Sequence, residues 1–548
     1  MSPTLTPDCT LETLKKQAKR WLKAIRAGDE EAKRRLFAAT GLVPAAAGLR
    51  HVQLALAREY GLPGWNALRQ ALDDTRRSHA ERVEIVLRSV MWQGDRVSGA
   101  RILARWPQIS ADSLYTAVAT GNLDEVQRRL AADPAAANRK GGALNWQPLL
   151  YFAYARLPGG ESHALEIARL LLDHGADPNA CWVGEWGPPP FTVLTGVIGE
   201  GEGNRPRHPQ AVALASLLID RGAHPFDSQA LYNTSLIRDE CEWLDMLWAQ
   251  SERHGKLECW TEVSESTQIG GVIPLNALDY LLGNAVGFNH PKRAQWLLRH
   301  GANANNRPLR EEALVRGHNS VAELLVLHGA AVRPLEGEAA FRAACMQLDR
   351  ERARALAERN PEYLQDAWLM LTAAEANRSN VAALLLELGM NVDIANGGQL
   401  RGLQVAVRGD ARDVVRLLIS HGADIDRPTT GAGGGALGFA AHFNRHELVD
   451  LLAPLSRDVW NLVYLGRRNR LIELFGEDPL LVNAINPKGY GPLFFLPDDE
   501  EEAVEMTTLL LEHGADAEHR NHDGITAEEA ARRRGLTDAA DLMRADKA

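Results

Sequence analysis

The 548-residue chain contains few cysteines, and none of them are closely spaced. Its five cysteines are Cys9, Cys181, Cys241, Cys259 and Cys345. No two stand in C-x-x-C spacing, which excludes a sequence-local zinc ribbon or a thioredoxin-like redox motif. Five scattered thiols in so long a chain also argue against a disulfide framework. We therefore expect a reducing, cytoplasmic environment.

Long apolar runs and catalytic signatures are also missing. A transmembrane helix needs roughly 18 or more consecutive apolar residues, and the chain has no such run. Its first residues, MSPTLTPDCTLETLKKQ, lack the apolar stretch of a secretory signal. There is no G-x-S-x-G, P-loop or kinase motif. The sequence therefore predicts no membrane span, no cofactor and no catalytic residue, and favours a non-enzymatic function.

Positive charge is scarce outside the N-terminus. The formal net charge is -10, and residues 1–80 contain 14 Lys/Arg against 8 Asp/Glu. The N-terminal 80 residues thus carry +6, and the remaining 468 carry -16. Because phosphate contacts require Lys and Arg, nucleic-acid binding by the body of the chain is disfavoured. A basic or apolar protein partner fits better.

A leucine-rich segment that ends in glycine recurs along the chain. One copy reads ARLLLDHGADPN at 168–179, and six similar segments follow it. The leucines predict an apolar helical stripe, and the glycine favours a left-handed helix end. The preceding histidine can meet free carbonyls in the last turn, and the following Asp or Asn can bond local backbone. The anchoring glycines are Gly175, Gly222, Gly301, Gly329, Gly389, Gly422 and Gly514.

These segments resemble the ankyrin repeat, which has a period of about 33 residues with two helices per unit. The resemblance implies an all-α, ankyrin-type helical solenoid of about 13–14 irregular repeats over 81–548, closed by a C-terminal cap at 523–548. The T-P-L-H sequence of the family is nowhere intact, so we expect local distortions. The resemblance also implies a scaffold that binds a partner protein through a concave face of fingers and inner helices.

Residues 1–80 do not fit the repeat, and we predict that they form a separate N-terminal helical module. Its REYGLPGW segment at 58–65 resembles a sequence that precedes ankyrin arrays in many bacterial proteins, which implies a bacterial origin. The first predicted helix is basic, so it could contact an acidic protein, a membrane surface or nucleic acid. The alternative is a solvated helix face. Its cations are Lys15, Lys16, Lys19, Arg20, Lys23 and Arg26.

Insertions and aromatic residues coincide within 140–270. Insertions in a solenoid lie in loops that often bind partners, and Trp and Tyr are enriched at interface hot spots. Two alternatives stay open, namely an aromatic mini-core beneath the insertions and a pocket there that serves an enzyme or small-ligand binder. The predicted contacts are Trp146, Tyr151, Tyr154, Trp182, Trp186, Phe191 and Tyr232.

Two histidines have the spacing of a metal-binding pair. His442 and His446 stand four apart on a predicted helix, which could bring both imidazoles to one metal ion. No third ligand is evident, and no H-E-x-x-H motif occurs. The sequence therefore predicts no metal site.

Overall fold

The structure is a computed structural model that describes residues 5–6, 9–44, 47–91, 93–184, 187–200, 206–263, 275–429 and 434–545. The chain forms two compact units. Unit 1 comprises residues 1–47, 51–314 and 318–333, and unit 2 comprises 48–50, 315–317 and 334–548. Helices dominate both units, which confirms the all-α prediction.

Four helices precede the repeats. The first begins at a reciprocal capping box between Thr10 and Thr13. The Trp21 indole donates to the Ala32 carbonyl at 3.0 Å. The apolar side chains that this helix buries are Leu14, Ala18, Trp21, Leu22 and Ile25. The cations of this helix are exposed, except Lys15, which is buried. The helices are α1 (Leu11–Arg26), α2 (Glu30–Thr40), α3 (Leu49–Glu59) and α4 (Trp65–Arg76).

Helix pairs then follow one another along the chain. The first seven are α5 (His79–Arg88) with α6 (Arg96–Arg105), α7 (Leu114–Thr120) with α8 (Leu123–Ala132), α9 (Pro148–Tyr154) with α10 (Ala164–Asp173), α11 (Val193–Ile198) with α12 (Ala211–Asp220), α13 (Ser228–Ser235) with α14 (Glu242–Arg253), α16 (Ala277–Gly287) with α17 (Pro291–Arg299), and α18 (Leu309–Arg316) with α19 (Asn319–Leu327). A short extra helix, α15 (Glu258–Thr261), follows α14.

Seven further pairs continue from residue 337. They are α20 (Gly337–Gln347) with α21 (Arg350–Arg359), α22 (Ala367–Glu375) with α23 (Ser379–Glu387), α24 (Gly402–Arg408) with α25 (Arg412–Ser420), α26 (Ala436–His442) with α27 (His446–Leu452), α28 (Val459–Tyr464) with α29 (Arg468–Glu477), the 3₁₀ helix Pro492–Phe495 with α30 (Glu500–Glu512), and α31 (Ala527–Arg533) with α32 (Thr537–Ala545). Further 3₁₀ helices are Pro107–Ala111, Pro134–Asn138, Pro361–Gln365 and Pro479–Asn483.

The ends of the second helices follow the predicted chemistry. All seven anchoring glycines have positive φ, between 81° and 102°. Five preceding histidines place Nδ1 within 2.7–2.9 Å of the carbonyl four residues earlier, which also accepts from the backbone amide of the same histidine. These histidines are His174, His300, His328, His421 and His513.

Asparagine side chains link some turns to the next helix pair, in an arrangement that we call the inter-unit clamp. Asn179 lies four residues after Gly175; its amide donates to the Gly222 carbonyl at 2.9 Å, and its carbonyl accepts from the His224 amide at 2.8 Å. Asn305 repeats this geometry toward Gly329 and Ala331. One side chain thus forms hydrogen bonds with two backbone groups at the end of the following helix pair.

Stacked Leu, Ala and Val side chains form the cores. In unit 1 the buried cluster runs from Val86 to Ala330, and in unit 2 from Phe341 to Met543. Successive first helices contact one another, as α22, α24 and α26 do, and second helices such as α23 and α25 do likewise. The segments that join consecutive helix pairs, which we call fingers, run from the end of one second helix to the start of the next first helix.

Candidate functional site

The finger between α10 and α11 forms a two-stranded hairpin in unit 1. Strand β1 (Cys181–Gly184) pairs antiparallel with β2 (Gly187–Thr192), and Trp182 lies opposite Phe191. Because side chains alternate along a strand, these two rings share one face, while Cys181 and Val183 are exposed on the other. Trp186, another predicted contact, lies outside the described residues.

The rings of this finger stack into a ladder. The Trp182 and Phe191 centroids are 4.5 Å apart with planes 13° apart, and Trp182 also stacks on Trp146 at 5.3 Å. Trp146 in turn contacts Tyr151 and Tyr154 at 5.7 and 5.5 Å. Such pairs stabilise by about 0.5–1.5 kcal/mol beyond the area that they bury. The ladder therefore fixes the finger on α9.

Three of the predicted contacts lie at the base of this ladder. The side chains of Trp146, Tyr151 and Tyr154 are buried. The Tyr151 hydroxyl donates to the Gly141 carbonyl and accepts from the Leu144 amide, and burial raises its pKa to about 12. The Tyr154 hydroxyl donates to the Thr192 carbonyl at 2.9 Å, at the end of β2. These residues support the finger from inside the fold.

The remaining predicted contacts are closer to the surface. Trp182 and Phe191 are half-buried, and the Trp182 indole nitrogen has no hydrogen-bond partner among the described residues. Tyr232 lies on α13 and is also half-buried. The structure thus brings Trp182, Phe191 and the buried trio together, while Tyr232 lies on α13, the first helix of a later pair in unit 1.

A second candidate site, which sequence reasoning missed, is a groove in unit 2 with a volume of about 980 Å³. It is lined by first helices α24, α26 and α28, the 3₁₀ helix at 492–495, and the fingers that precede α24 and α26. Its principal lining residues are Asn396, Leu400, Arg408, Thr429, Phe439, His442, Phe443, Asn444, Asn461, Tyr464 and Phe495. We call this site the unit 2 groove.

Aromatic side chains at the unit 2 groove retain exposed surface. Phe439 is 9% exposed, whereas Phe443 is 36% and Tyr464 is 41% exposed. The Phe439 and Phe443 centroids are 6.0 Å apart, and the His442 ring meets Phe443 edge-on at 4.8 Å. Because Phe439 and Phe443 stand four apart at the end of α26, they fall on one side of that helix.

Close backbone packing of α26 depends on two glycines. A Cβ at Gly435 would lie 2.4 Å from the Ile425 carbonyl, and one at Gly438 would lie 2.9 Å from the Asn461 amide. The glycine-rich segment before α26 thus lets the finger and α28 approach this short helix. That pattern, followed by two phenylalanines at helical spacing, was the available sequence signal for the groove.

Polar groups stand beside the aromatic rings. The Arg408 guanidinium lies 3.5 Å from the Glu375 carboxylate, and both side chains are substantially exposed. The Asn461 amide donates at 2.7 Å to Asp458, whose carboxyl has its pKa raised by burial. The Tyr464 hydroxyl lies 3.4 Å from an Asp498 oxygen. The groove therefore offers aromatic surface, amides and one guanidinium.

Neither a cluster of metal ligands nor a membrane-spanning helix is found among the described residues. Within the described ranges, no three His, Cys, Asp or Glu side chains gather closely enough to hold a metal ion. His442 lines the unit 2 groove, whereas His446 begins α27. Among the helices that the structure describes, none combines the length and apolar character needed to span a bilayer.

Comparison with known proteins matches one part of unit 2. Residues 411–453, which include α25 to α27, match the family model described as ankyrin repeats (many copies). This segment of the chain is similar to ankyrin repeats. A curated relative, ankyrin repeat and SAM domain-containing protein 6 of Danio rerio, is 26% identical over 222 residues. The alignment covers 37% of this chain and 29% of the relative, so the chain spans less than a third of that protein's length.

Proposed function

We propose that this chain is a protein-interaction scaffold that binds a partner polypeptide on its fingers and first helices, mainly in the unit 2 groove. Ankyrin arrays use this concave face to bind partners. The observation that carries the proposal is the exposure of Phe443 and Tyr464 on the wall of a 980 Å³ groove. Exposed aromatic surface in a concavity is typical of a binding site.

The finger of unit 1 remains a second proposed contact. Trp182 and Phe191 are half-buried, and the exposed face of the hairpin carries Val183. The ladder beneath them reduces the entropy that binding would otherwise lose, because the finger is already fixed. Trp186 and Tyr232 stay in the proposal as predicted contacts, and cytoplasmic location and bacterial origin likewise stay predictions.

Affinity capture from the native host tests the proposal. The full-length protein, a Phe443→Ala/Tyr464→Ala variant, a Trp182→Ala variant and a Leu455→Ala control are compared by quantitative mass spectrometry. Leu455 is exposed but does not line the groove, so its variant controls for lost apolar surface. Hot-spot aromatics contribute about 2 kcal/mol or more each, so a partner should fall at least about tenfold with the double variant.

The control and the finger variant decide how the result is interpreted. A partner retained by Leu455→Ala and lost by the groove variant supports the proposal, provided that the circular dichroism of the variant is native. Loss with Trp182→Ala alone moves the proposed contact to unit 1. Equal capture by every folded variant contradicts both contacts.

A further inference from the structure

The unit 2 groove crosses several consecutive repeat units, which favours an extended ligand. Its lining residues run from Asn396 to Phe495 and belong to four successive helix pairs of unit 2. Packed helices lie about 8–10 Å apart, so four first helices span roughly 25–30 Å. An extended chain rises about 3.3 Å per residue, so about eight residues would fit along the groove.

The wall of the groove divides into an apolar part and a cationic part. Phe439, Phe443, Tyr464 and Phe495 provide the rings that would receive a large apolar side chain. Of the described residues that line it, Arg408 carries the permanent charge. The Arg445 side chain donates to the carbonyl of Arg408, so the turn that holds Phe443 and Asn444 lies against the end of α24. Apolar and cationic surfaces are therefore adjacent.

Arg408 is available for an incoming carboxylate. Its described ionic partner is Glu375, whose oxygen is 3.5 Å away and whose side chain is 74% exposed. An exposed ion pair at that distance contributes little to stability, so a ligand carboxylate can replace it with little loss. A guanidinium can also bind a carboxylate through two parallel hydrogen bonds, a geometry that a lysine lacks.

The charged side chain among the described residues that line the groove has the opposite sign to the net charge of the chain. The chain carries -10 overall, which disfavours a strongly acidic partner at long range. Charges farther away than the Debye length of about 8 Å are largely screened at physiological salt. Inside the groove the nearest charge decides, so a single carboxylate on an otherwise apolar segment fits both facts.

We propose that the unit 2 groove binds an extended, mainly apolar peptide segment in which a large apolar side chain lies within about three residues of an aspartate or glutamate. The apolar side chain packs on Phe443 and Tyr464, and the carboxylate pairs with Arg408. Amides of Asn444 and Asn461 and the Thr429 hydroxyl, which is buried without a partner among the described residues, lie where ligand backbone would pass. The inference rests on the proposed function because it specifies the ligand of that groove.

A random dodecapeptide library displayed on phage provides the test. The library is selected on the immobilised full-length protein and, in parallel, on Arg408→Glu and on Arg416→Glu. Arg416 is exposed on α25 and does not line the groove, so its variant applies the same charge change elsewhere. Selected peptides are synthesised with a fluorescent label, and their dissociation constants are measured by fluorescence anisotropy.

The wild-type protein and the Arg416→Glu control should enrich peptides with an apolar side chain and a nearby Asp or Glu. Arg408→Glu should weaken these peptides at least about tenfold and should itself select Lys- or Arg-containing peptides. Such a reversal requires a folded groove, so it separates charge recognition from unfolding. Peptides enriched without a carboxylate, with equal affinity for Arg408→Glu, overturn the inference alone.

A different outcome tests the groove itself. If peptides bind Phe443→Ala/Tyr464→Ala as tightly as the wild type, they bind elsewhere, and the proposed function fails at this site. If the wild type selects basic peptides, the inference of an acidic segment is overturned. The ligand is then complementary to the negative net charge of the chain. The two failures are distinguished because one depends on the aromatic residues and the other on Arg408.

Discussion

Unit 1 and unit 2 both gather aromatic side chains where fingers meet first helices, but the surroundings of the rings differ. In the unit 1 finger, Trp182 stacks on Phe191 and Trp146, so the rings mostly contact one another. In the unit 2 groove, Phe443 and Tyr464 retain more than a third of their surface. Stacked rings stabilise a finger, whereas exposed rings remain free to bury surface against a ligand. Aromatic density alone therefore cannot locate a binding surface.

Replacing one ring of each region with alanine should give the largest effect. A supporting ring and an exposed ring should differ strongly in how much free energy of unfolding is lost. Trp146 is 7% exposed and lies within the ladder, so Trp146→Ala should destabilise unit 1 by about 3–5 kcal/mol. Phe443→Ala should change the stability of unit 2 by less than about 1 kcal/mol, because the side chain is more than a third exposed.

Urea unfolding can follow the two units separately. Eleven of the thirteen tryptophans precede residue 334, so indole fluorescence reports mainly on unit 1, whereas far-ultraviolet circular dichroism reports on both. The two signals are fitted separately, because a chain of two compact units need not unfold in one two-state transition. Similar losses for both variants would contradict the distinction between supporting and exposed rings.

The local chemistry of the repeat could be predicted from the sequence, because it depends on neighbouring residues. The positive φ of Gly175 and the hydrogen bond from the His174 ring to the Leu170 carbonyl follow from helix-end chemistry within one turn. The helix pairs follow from the apolar stripe in the same way. These features require no knowledge of distant parts of the chain.

The candidate sites could be predicted only in part, because they depend on contacts between consecutive helix pairs within each unit. The aromatic residues of 146–191 do lie together, but burial of Tyr151 and Tyr154 depends on how the finger packs on α9. Arg408 and Tyr464 are 56 residues apart in sequence and line the same groove only because α26 packs against both α24 and α28. Neither residue stands out in its own segment.

Two tyrosines, one in each region, should respond differently to alkaline pH. Burial raises the pKa of Tyr151 to about 12. Burial also raises the pKa of Tyr464, with a further contribution from the Asp498 carboxylate. The raised pKa leaves the free energy of unfolding unchanged while the phenol is protonated in both states. That free energy falls once the unfolded chain alone begins to ionise. Between pH 10 and pH 12 the unfolded chain loses this proton first, so unit 1 should lose about 2–3 kcal/mol.

The comparison uses Tyr151→Phe, Tyr464→Phe and the wild type, with urea midpoints measured from pH 9 to pH 11. Removal of Tyr151 should flatten the decline in the stability of unit 1 above pH 10, even though the variant also loses two hydrogen bonds at every pH. Removal of Tyr464 should leave that decline unchanged. An unaltered slope in Tyr151→Phe would show that the buried hydroxyl does not control the alkaline response.

The smallest predicted effect concerns the inter-unit clamp, which is complete before the unit 1 finger and incomplete before the unit 2 groove. Asn179 bonds both the Gly222 carbonyl and the His224 amide. Asp393, four residues after Gly389, accepts from the Asp424 amide at 3.1 Å, but a carboxylate cannot donate to the carbonyl of Gly422. Asp393→Asn should therefore add one hydrogen bond and stabilise unit 2 by about 0.5–1 kcal/mol.

The reverse change, Asn179→Asp, removes a donor at the equivalent position and should destabilise unit 1 by a similar amount. Both variants alter charge by one and volume very little. Because charge and hydrogen bonding change together in each variant, the urea midpoints are measured with and without added sodium chloride, which screens exposed charges. Urea midpoints for the two units should move in opposite directions. A net-charge effect alone would also move the two midpoints in opposite directions, so opposite shifts that disappear in salt would show that charge causes them and the clamp does not. Shifts in the same direction contradict the clamp. Opposite shifts that persist in salt would mean that a single amide at this position sets how firmly each finger is attached to the next helix pair.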